Sequence, residues 1–139
     1  MPARDLYHLH VRNALTKDGW KIVRDPYQIK FKEIKLYADL AAARLFSAER
    51  DREQIVVEVK SFLSPSRIRD FEAAVGQYVL YRVYLAQVLP EAQVYLAVNQ
   101  DIYRSFFLKE AIEFATTELK IKLMVFDAEK EAIVGWINS

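Results

Sequence analysis

Two charged side chains interrupt an apolar segment, residues 55–62, that has the pattern of a buried strand. They are Glu58 and Lys60, and they point the same way because side chains alternate between the two faces of a strand. Asp39 ends a second apolar run, residues 34–40. Two carboxylates on neighbouring strands beside a lysine are typical of a site that holds a divalent cation against a phosphate group.

The pattern also predicts what each residue of such a site contributes. Asp39 and Glu58 supply carboxylate oxygens for Mg²⁺ or Mn²⁺, and the backbone carbonyl of Val59 can complete the coordination. Lys60 is placed to orient a water molecule or to stabilise the charge that develops on phosphorus. Gln77 lies in the next amphipathic helix, where its amide can hydrogen-bond to water, to a phosphate or to a base edge.

An ordinary alternative exists for each of these residues. Glu58 and Lys60 could form the solvent face of an edge strand, where Glu-x-Lys is frequent, and Gln77 could be a helix-flank glutamine. Against this, Val56 and Phe62 share the face of Glu58, and a long helix must pack on the same sheet. Charges in such a place require a partner or a purpose.

Other polar residues give weaker signals. His8 and His10 cannot both face one ligand, since residues two apart lie about 200° around a helix axis. A structural or surface role is the favoured interpretation of His8. Lys30 and Lys32 lie on one strand face, and Arg67 and Arg69 lie in the helix after the motif. Either pair could contact phosphates, and ordinary solvated charge is an equally good explanation of both. The tyrosines Tyr78, Tyr81 and Tyr84 have the spacing of a helix that packs on a sheet or on a partner.

Hydrophobic periodicity and turn residues divide the chain into the elements that position these groups. The predicted helices cover residues 3–17, the stretch from Ser64-Pro65 to Pro90, and about 102–118. The predicted strands are 20–24, 27–31, 34–40, 55–62, 94–98, 123–127 and 132–137, and 47–53 is a solvated connection. Ser64 is the expected helix cap and Pro65 the first helical residue. Strands 34–40 and 55–62 are expected to be antiparallel neighbours.

Composition limits the classes of protein that remain. The 139 residues are 53% apolar with only 3 Gly and 4 Pro, which predicts one globular domain over residues 1–139. The net charge of +1 predicts no general affinity for polyanions, so a nucleic-acid surface would be a local patch. The absence of cysteine excludes disulfides, thiolate catalysis and cysteine-bound zinc. No signal core or membrane-length apolar run is found, so we expect a cytoplasmic protein.

Asp39, the motif Glu58-Val59-Lys60 and a following helix that carries Gln77 resemble the PD-(D/E)XK, or restriction-endonuclease-like, superfamily. The resemblance implies an α/β fold with an αβββαβ core, a C-terminal helix and further strands, in a mixed central sheet flanked by helices. It implies a catalytic role for all three charged residues. Gln77 resembles the auxiliary residue of RecB-type and Holliday-junction-resolvase-like nucleases. Ala38 stands where the motif has proline.

Over nearly its full length the chain is also similar to a narrower family, the XisH proteins. The segments that carry this similarity include Pro2-Ala3-Arg4-Asp5, Lys17-Asp18-Gly19-Trp20, Asp39-Leu40, Glu58-Val59-Lys60-Ser61-Phe62, Gly76-Gln77-Tyr78, Leu96-Ala97-Val98, Ser105-Phe106-Phe107 and Trp136-Ile137-Asn138. XisH proteins control excision of the fdxN element during heterocyst differentiation, with a companion protein, XisI, and a separate site-specific recombinase. The resemblance therefore implies a role in DNA rearrangement with DNA, XisI and the recombinase as partners.

Two functions from different classes are compatible with these features. The first is a Mg²⁺-dependent endonuclease that acts on DNA through Asp39, Glu58 and Lys60. The second is a non-catalytic adaptor that uses the same fold to bind DNA or XisI and directs the recombinase. A third interpretation, which assigns no function, is an unrelated small α/β protein in which Glu-x-Lys occurs by chance. The tyrosine-rich helix is compatible with a homodimer, and the first helix offers Asp5 and His8 as further site residues.

Overall fold

The computed structural model describes residues 5–45 and 52–137, which form a mixed α/β fold. The helices are α1 (His8–Lys17), α2 (Arg67–Val88), α3 (Gln100–Ile102), which continues as a π-helical turn (Tyr103–Phe107), and α4 (Glu110–Glu118). The strands are β1 (Lys21–Arg24), β2 (Tyr27–Phe31), β3 (Ile34–Ala38), β4 (Leu40–Leu45), β5 (Arg52–Val59), β6 (Gln93–Asn99), β7 (Leu123–Asp127) and β8 (Ala132–Ile137). Within the described ranges, no helix is long and apolar enough to cross a membrane.

Six strands form the central sheet in the order β1-β4-β5-β6-β7-β8. β1, β4 and β5 are antiparallel neighbours, whereas β5, β6 and β7 run parallel. β8 returns antiparallel to β7 at the far edge. α2 makes the crossover from β5 to β6 that two parallel neighbours require. β5 therefore lies inside the sheet, between β4 and β6.

Each face of the sheet carries its own apolar cluster. On one face, Ile55, Val57 and Val59 of β5 pack with α1. On the other face, Val56 and the nearby Phe62 pack with α2. The predicted alternation along β5, with Val56 and Phe62 on the side of Glu58, is therefore confirmed. The fully apolar run of β6 is buried on both faces, as its sequence predicts.

β2 and β3 form a separate two-stranded ribbon that packs on α2 instead of joining the main sheet. Its residues pair from Tyr27 with Ala38 at the base to Phe31 with Ile34 at the tip. The Phe31 ring stacks on Tyr84 of α2 with 5.7 Å between ring centroids. The tyrosines of α2 thus pack on the ribbon and the sheet, in agreement with the packing role that their spacing predicts.

The predicted strand 34–40 is wrong in one respect that matters for the site. The chain bends at Asp39, so that β3 ends at Ala38 and a new strand, β4, begins at Leu40. β4, not β3, is the antiparallel neighbour of β5, with Leu40 opposite Val57. Five strands therefore lie between α1 and α2, where the sequence predicts four and the αβββαβ core implied by the resemblance has three. β4 was missed because three of its residues are alanines, which have low strand propensity.

Several predicted boundaries also require correction. β5 ends at Val59, before Lys60, and the chain then leaves the sheet through Phe62, which has a φ of 55°. Ser66 is the helix cap, since its side chain accepts a hydrogen bond from the Arg69 N–H, and Ser64 and Pro65 precede it. The predicted helix 102–118 is interrupted between the π-helical turn and α4. Of the predicted connection 47–53, residues 47–51 lie outside the described residues and the rest belongs to β5.

The buried hydroxyl of Tyr78 provides a test of how α2 is fixed to the sheet. It donates to the Val94 carbonyl at 2.8 Å and accepts from the Lys122 N–H at 3.0 Å, which joins α2 to two parallel strands. Tyr78→Phe should lower the free energy of unfolding by about 1–3 kcal/mol, since two buried backbone groups lose their partner. Tyr84→Phe is the control, because it keeps the ring on Phe31. Equal unfolding midpoints for the two variants in urea would contradict this account.

Candidate active site

Asp39 and Glu58 are held together by reciprocal hydrogen bonds across the bend between β3 and β4. The Asp39 N–H donates to Oε1 of Glu58 at 3.2 Å, and the Val59 N–H donates to Oδ2 of Asp39 at 2.7 Å. Each acid therefore binds the backbone of the other's strand. The structure thus brings Asp39 and Glu58 together at the bend, in contact through these two backbone N–H groups.

Glu58 is buried in an interior strand and is only 6% exposed, so the solvent-face alternative is wrong for this residue. Lys60 extends beside it, with Nζ 3.5 Å from Oε2 of Glu58. Burial, and then repulsion from Asp39, raise the pKa of Glu58 to about 8, although Lys60 opposes the shift. Without a cation, Glu58 is therefore mainly protonated at neutral pH.

The same burial raises the pKa of Asp39, against the opposing effects of the Val59 N–H and of His8. Tyr81 of α2 lies close enough for both acids to act on it, since burial and then the charges of Glu58 and Asp39 raise the pKa of its phenol. The Tyr81 hydroxyl donates to the Tyr37 carbonyl at 2.9 Å. Tyr81 thus lies near the acids and ties α2 to the strand that leads into Asp39.

His8 connects the site to a second buried acid. Its Nδ1 lies 3.3 Å from Oδ1 of Asp39, and its Nε2 lies 2.8 Å from Oδ1 of Asp25. Arg12 donates from Nη1 to Oδ2 of Asp25 at 2.5 Å. The His8 ring therefore bridges two carboxyl groups, one at each of its nitrogens. His8 is 2% exposed, and it orients Asp39 from within the core.

Asp5 approaches the site from the segment before α1. Its Oδ2 accepts a hydrogen bond from the Ser61 N–H at 2.9 Å, and its charge contributes to the raised pKa of Asp39. A groove of about 240 Å³ lies next to these residues. Its lining includes Asp5, Lys60, Asp70 and Ala73. Lys60 therefore faces open space on one side and the buried acids on the other.

Gln77 is positioned on the face of α2 that looks toward this site. It lies one turn after Ala73, which lines the groove, and one turn before Tyr81, which lies near the acids. Its Oε1 is buried and, among the described residues, accepts no hydrogen bond. A desolvated acceptor of this kind requires a donor, and a water molecule or a ligand group can supply one. The role of Gln77 at the site stays a prediction.

The donor set at the centre consists of hard oxygen atoms. Asp39 and Glu58 contribute carboxylates, and the Val59 carbonyl points to the same side of β5 as its N–H, which contacts Asp39. Such a set suits Mg²⁺, which is usually held by one or two carboxylates plus water and substrate phosphate. Over residues 5–45 and 52–137, no group of three or more acidic or histidine side chains is placed to hold a metal. Water and phosphate oxygens would therefore complete the shell.

Sequence reasoning identified the central residues but missed part of their support. Asp25 and Arg12 were not singled out, because Asp25 before Pro26 has the ordinary appearance of a strand end. The two histidines separate as their spacing predicts, since His8 binds Asp39 whereas His10 contacts Glu131. His8 is buried and contacts Asp39, an approach to the acids that the favoured structural or surface interpretation did not include. Arg67 and Arg69 are exposed in the first turn of α2.

The family model for XisH proteins matches residues 1–134. The chain belongs to the XisH family. The resemblance seen in the sequence is therefore confirmed over nearly the whole chain. A search of functionally curated proteins found no match.

Two solved structures support the same assignment. An XisH family protein from Nostoc punctiforme PCC 73102 is 40% identical, with a TM-score of 0.87, and the match covers 96% of this chain and 100% of that one. An fdxN element excision controlling factor protein from Anabaena variabilis is also 40% identical, with a TM-score of 0.88, and the match covers 97% of this chain and 100% of that one. The XisH fold thus includes the sheet, the ribbon and the helices described above.

The raised pKa of Glu58 makes stability depend on pH in the metal-free protein. The usual glutamate pKa is 4.5, whereas burial and Asp39 raise that of folded Glu58 to about 8. Between these values the folded state binds a proton that the unfolded chain has released, so the free energy of unfolding falls as pH rises. The loss is at most a few kcal/mol. Urea denaturation in a chelator at several pH values should show this slope, and Glu58→Gln should flatten it. An equal slope in both proteins would contradict the assignment.

The two histidines of α1 provide a matched pair of variants. His8→Ala leaves Asp39 and Asp25 buried without their shared hydrogen-bond partner, and we expect a loss of about 1–3 kcal/mol of stability. His10→Ala removes a half-exposed contact with Glu131 and should have little effect. Thermal unfolding of both variants measures the difference. Similar melting temperatures would show that His8 does not support the acids.

Proposed function

We propose that this XisH protein is a Mg²⁺-dependent endonuclease of the PD-(D/E)XK type that acts on DNA during excision of a genetic element. The observation that carries the proposal is the buried carboxylate of Glu58, held against Asp39 and beside Lys60. Burial raises the pKa of both acids, and repulsion from Asp39 adds to the rise for Glu58. A bound divalent cation would offset that repulsion, so the site has a reason to take one up.

The order of elements supports a restriction-endonuclease-like core. α1, β1, β4, β5, α2 and β6 follow one another along the chain once the β2–β3 ribbon is treated as an insertion. β1, β4 and β5 form an antiparallel meander, and α2 then crosses to β6, which is parallel to β5. This is an αβββαβ arrangement in space. It places the Asp39 bend and the end of β5 side by side, where the motif requires its acids.

Each residue then has a distinct task in phosphodiester cleavage. When bound, Mg²⁺ supplies Lewis acidity at the phosphate and lowers the pKa of a water molecule. Asp39, Glu58 and the Val59 carbonyl would hold the cation, and His8 keeps Asp39 in place. Lys60 lies at the groove, where its ammonium group orients the attacking water and stabilises charge on phosphorus. Such stabilisation needs no movement of the residue, because Glu58 already fixes it.

Gln77 has a different task, because its amide carries no charge. Its buried Oε1 lacks a donor among the described residues, and a water molecule or base edge can provide that donor. The amide N–H₂ group of the same side chain can donate to a phosphate oxygen. We therefore assign Gln77 to the binding of substrate or of its attacking water, next to Lys60.

A second candidate function, a non-catalytic adaptor, rests on a different observation. All four carboxylate oxygens of Asp39 and Glu58 already have protein partners: His8, Val59, the Asp39 backbone and Lys60. A network that is satisfied in this way can serve stability alone. In that case the protein would bind DNA, or the companion protein XisI, and direct a separate recombinase without cutting. Excision control in the family is compatible with either role.

Cleavage assays with matched variants distinguish these two functions. We expect the wild type to cut branched, single-stranded or duplex DNA with Mg²⁺ or Mn²⁺, and Lys60→Ala to lower the rate about 10²- to 10³-fold. Asp39→Asn should abolish both cleavage and cation binding measured by calorimetry. Lys120→Ala, an exposed lysine elsewhere, is the control and should retain full activity. Activity that persists unchanged in Lys60→Ala would indicate a contaminating nuclease.

The adaptor predicts a different set of results from the same experiments. It predicts that the wild type binds no cation at the acids and cuts none of the DNA substrates, while binding to DNA or XisI is retained. Gln77→Ala adds a separate test, since a nuclease should lose activity without loss of stability. An adaptor has no activity for this substitution to change.

A further inference from the structure

We propose that the β2–β3 ribbon is a DNA-binding arm, whose outer face contacts the phosphates of duplex DNA beside the candidate active site. The proposal rests on the proposed function for its choice of DNA as ligand, but it concerns a different surface. The inner face of the ribbon, which includes Ile29 and Phe31, packs on α2. The outer face has no such contact and is available to a partner.

The outer face of the ribbon is polar and basic. Because side chains alternate along a strand, Gln28, Lys30, Lys35 and Tyr37 share this face, and all four are exposed. Neither lysine is paired with a carboxylate among the described residues. Lysines and a tyrosine hydroxyl or amide are groups that commonly contact phosphate oxygens. The chain as a whole carries a net charge of only +1, so this is a local patch.

Two features of the ribbon are unfavourable for its own stability. Lys30 lies directly opposite Lys35 in the register, and like charges in opposite positions destabilise a hairpin. Lys32 occupies the turn with a φ of 52°, where glycine, asparagine or aspartate is preferred. The lysine pair and Lys32 thus place positive charge at positions where hairpin preferences favour other residue types. Such departures are expected at functional positions, and an anionic partner would explain both of them together.

The sequence prediction for these lysines was partly wrong. Lys30 and Lys32 do not share a regular strand face, since Lys32 lies in the turn between β2 and β3. The partner of Lys30 is Lys35 on the opposite strand. Pairing between strands, which a single sequence does not display, therefore creates the basic patch.

The ribbon is fixed to the candidate active site at both ends. Asp25, which contacts His8, comes just before the ribbon, and Asp39 follows it directly. Lys35 is four residues from Asp39, or about 13 Å along an extended strand. That distance corresponds to about four phosphates along the axis of one DNA strand. DNA held by the lysines would thus continue past Asp39 and the groove at Lys60.

A two-stranded ribbon also has the right dimensions for a DNA groove. The major groove, about 12 Å wide, admits an α-helix or a two-stranded ribbon. The outer face offers lysines for the phosphates, and Gln28 and Tyr37 for base edges or sugars. A protein partner would instead require apolar anchors at the centre of the contact, and Tyr37 is the single large aromatic side chain on this face.

The first test measures DNA binding and its dependence on salt, with the metal removed by a chelator so that no cleavage occurs. A short fluorescent duplex is titrated with wild type and with the double variant Lys30→Gln/Lys35→Gln. We expect about tenfold weaker binding, and a slope of log K against log salt reduced by about 1.8, or 0.9 for each lost phosphate contact. Lys120→Gln/Lys130→Gln is the control, with the same change of charge on exposed lysines outside the ribbon.

A second variant separates binding from folding. Lys35→Glu places opposite charges across the ribbon, so it should raise the melting temperature while it weakens DNA binding. A purely structural role for Lys35 would give the first effect without the second. Equal DNA binding by wild type and Lys30→Gln/Lys35→Gln would overturn the proposal. An equal loss of binding in the control variant would also overturn it, because the effect would then come from net charge and not from the ribbon.

The outcome is distinguishable from failure of the proposed function. If the wild type binds DNA through the ribbon but takes up no cation and cuts nothing, the arm stands and the nuclease fails. If Asp39 and Lys60 prove essential for cleavage while the ribbon variants bind DNA normally, the nuclease stands and the arm fails. Loss of binding to an acidic protein partner, with DNA binding unchanged, would also overturn the arm.

Discussion

The burial of two neighbouring acids is the constraint on which this structure depends. Asp39 and Glu58 meet at the bend between β3 and β4, largely removed from water, and each therefore requires compensation from its surroundings. Backbone N–H groups of Asp39 and Val59, the Lys60 ammonium and the His8 ring provide it. The bend that separates β3 from β4 exists at this position because the Asp39 N–H bonds to Glu58 instead of to a strand partner.

The residues that stabilise the two acids are themselves held by further residues. His8 needs Asp25, Asp25 is bound by Arg12, and both basic residues lie on α1. On the other face, Tyr81 links the acids to α2. One carboxylate pair thus specifies the positions of a helix on each side of the sheet. Several elements of the fold therefore meet at this pair of acids.

Much of this could be predicted from the sequence, and the exceptions have physical causes. The strand with Glu58 and Lys60 was recognisable because its alternation is strong, and the family resemblance identified Asp39 as its partner. β4 was not recognised, because small alanine side chains carry little strand signal and are buried by their neighbours. The roles of Asp25 and Tyr81 depend on contacts between residues far apart in sequence, which no local pattern encodes. The positive φ of Lys32 likewise departs from the residue preferences of turns, on which prediction from sequence relies.

The ribbon has a consequence for how such a protein can change its target. Its first and last residues, Tyr27 and Ala38, are a paired couple, so the whole hairpin leaves and re-enters the fold through one narrow neck. The entropy of closing a loop grows slowly with its length, and a hairpin of different size or sequence could occupy the same neck at little cost. On the proposed role of the ribbon, DNA recognition and cleavage would then depend on separate parts of the fold. The neck and the acids would stay the same, while the ribbon would change to suit another DNA sequence.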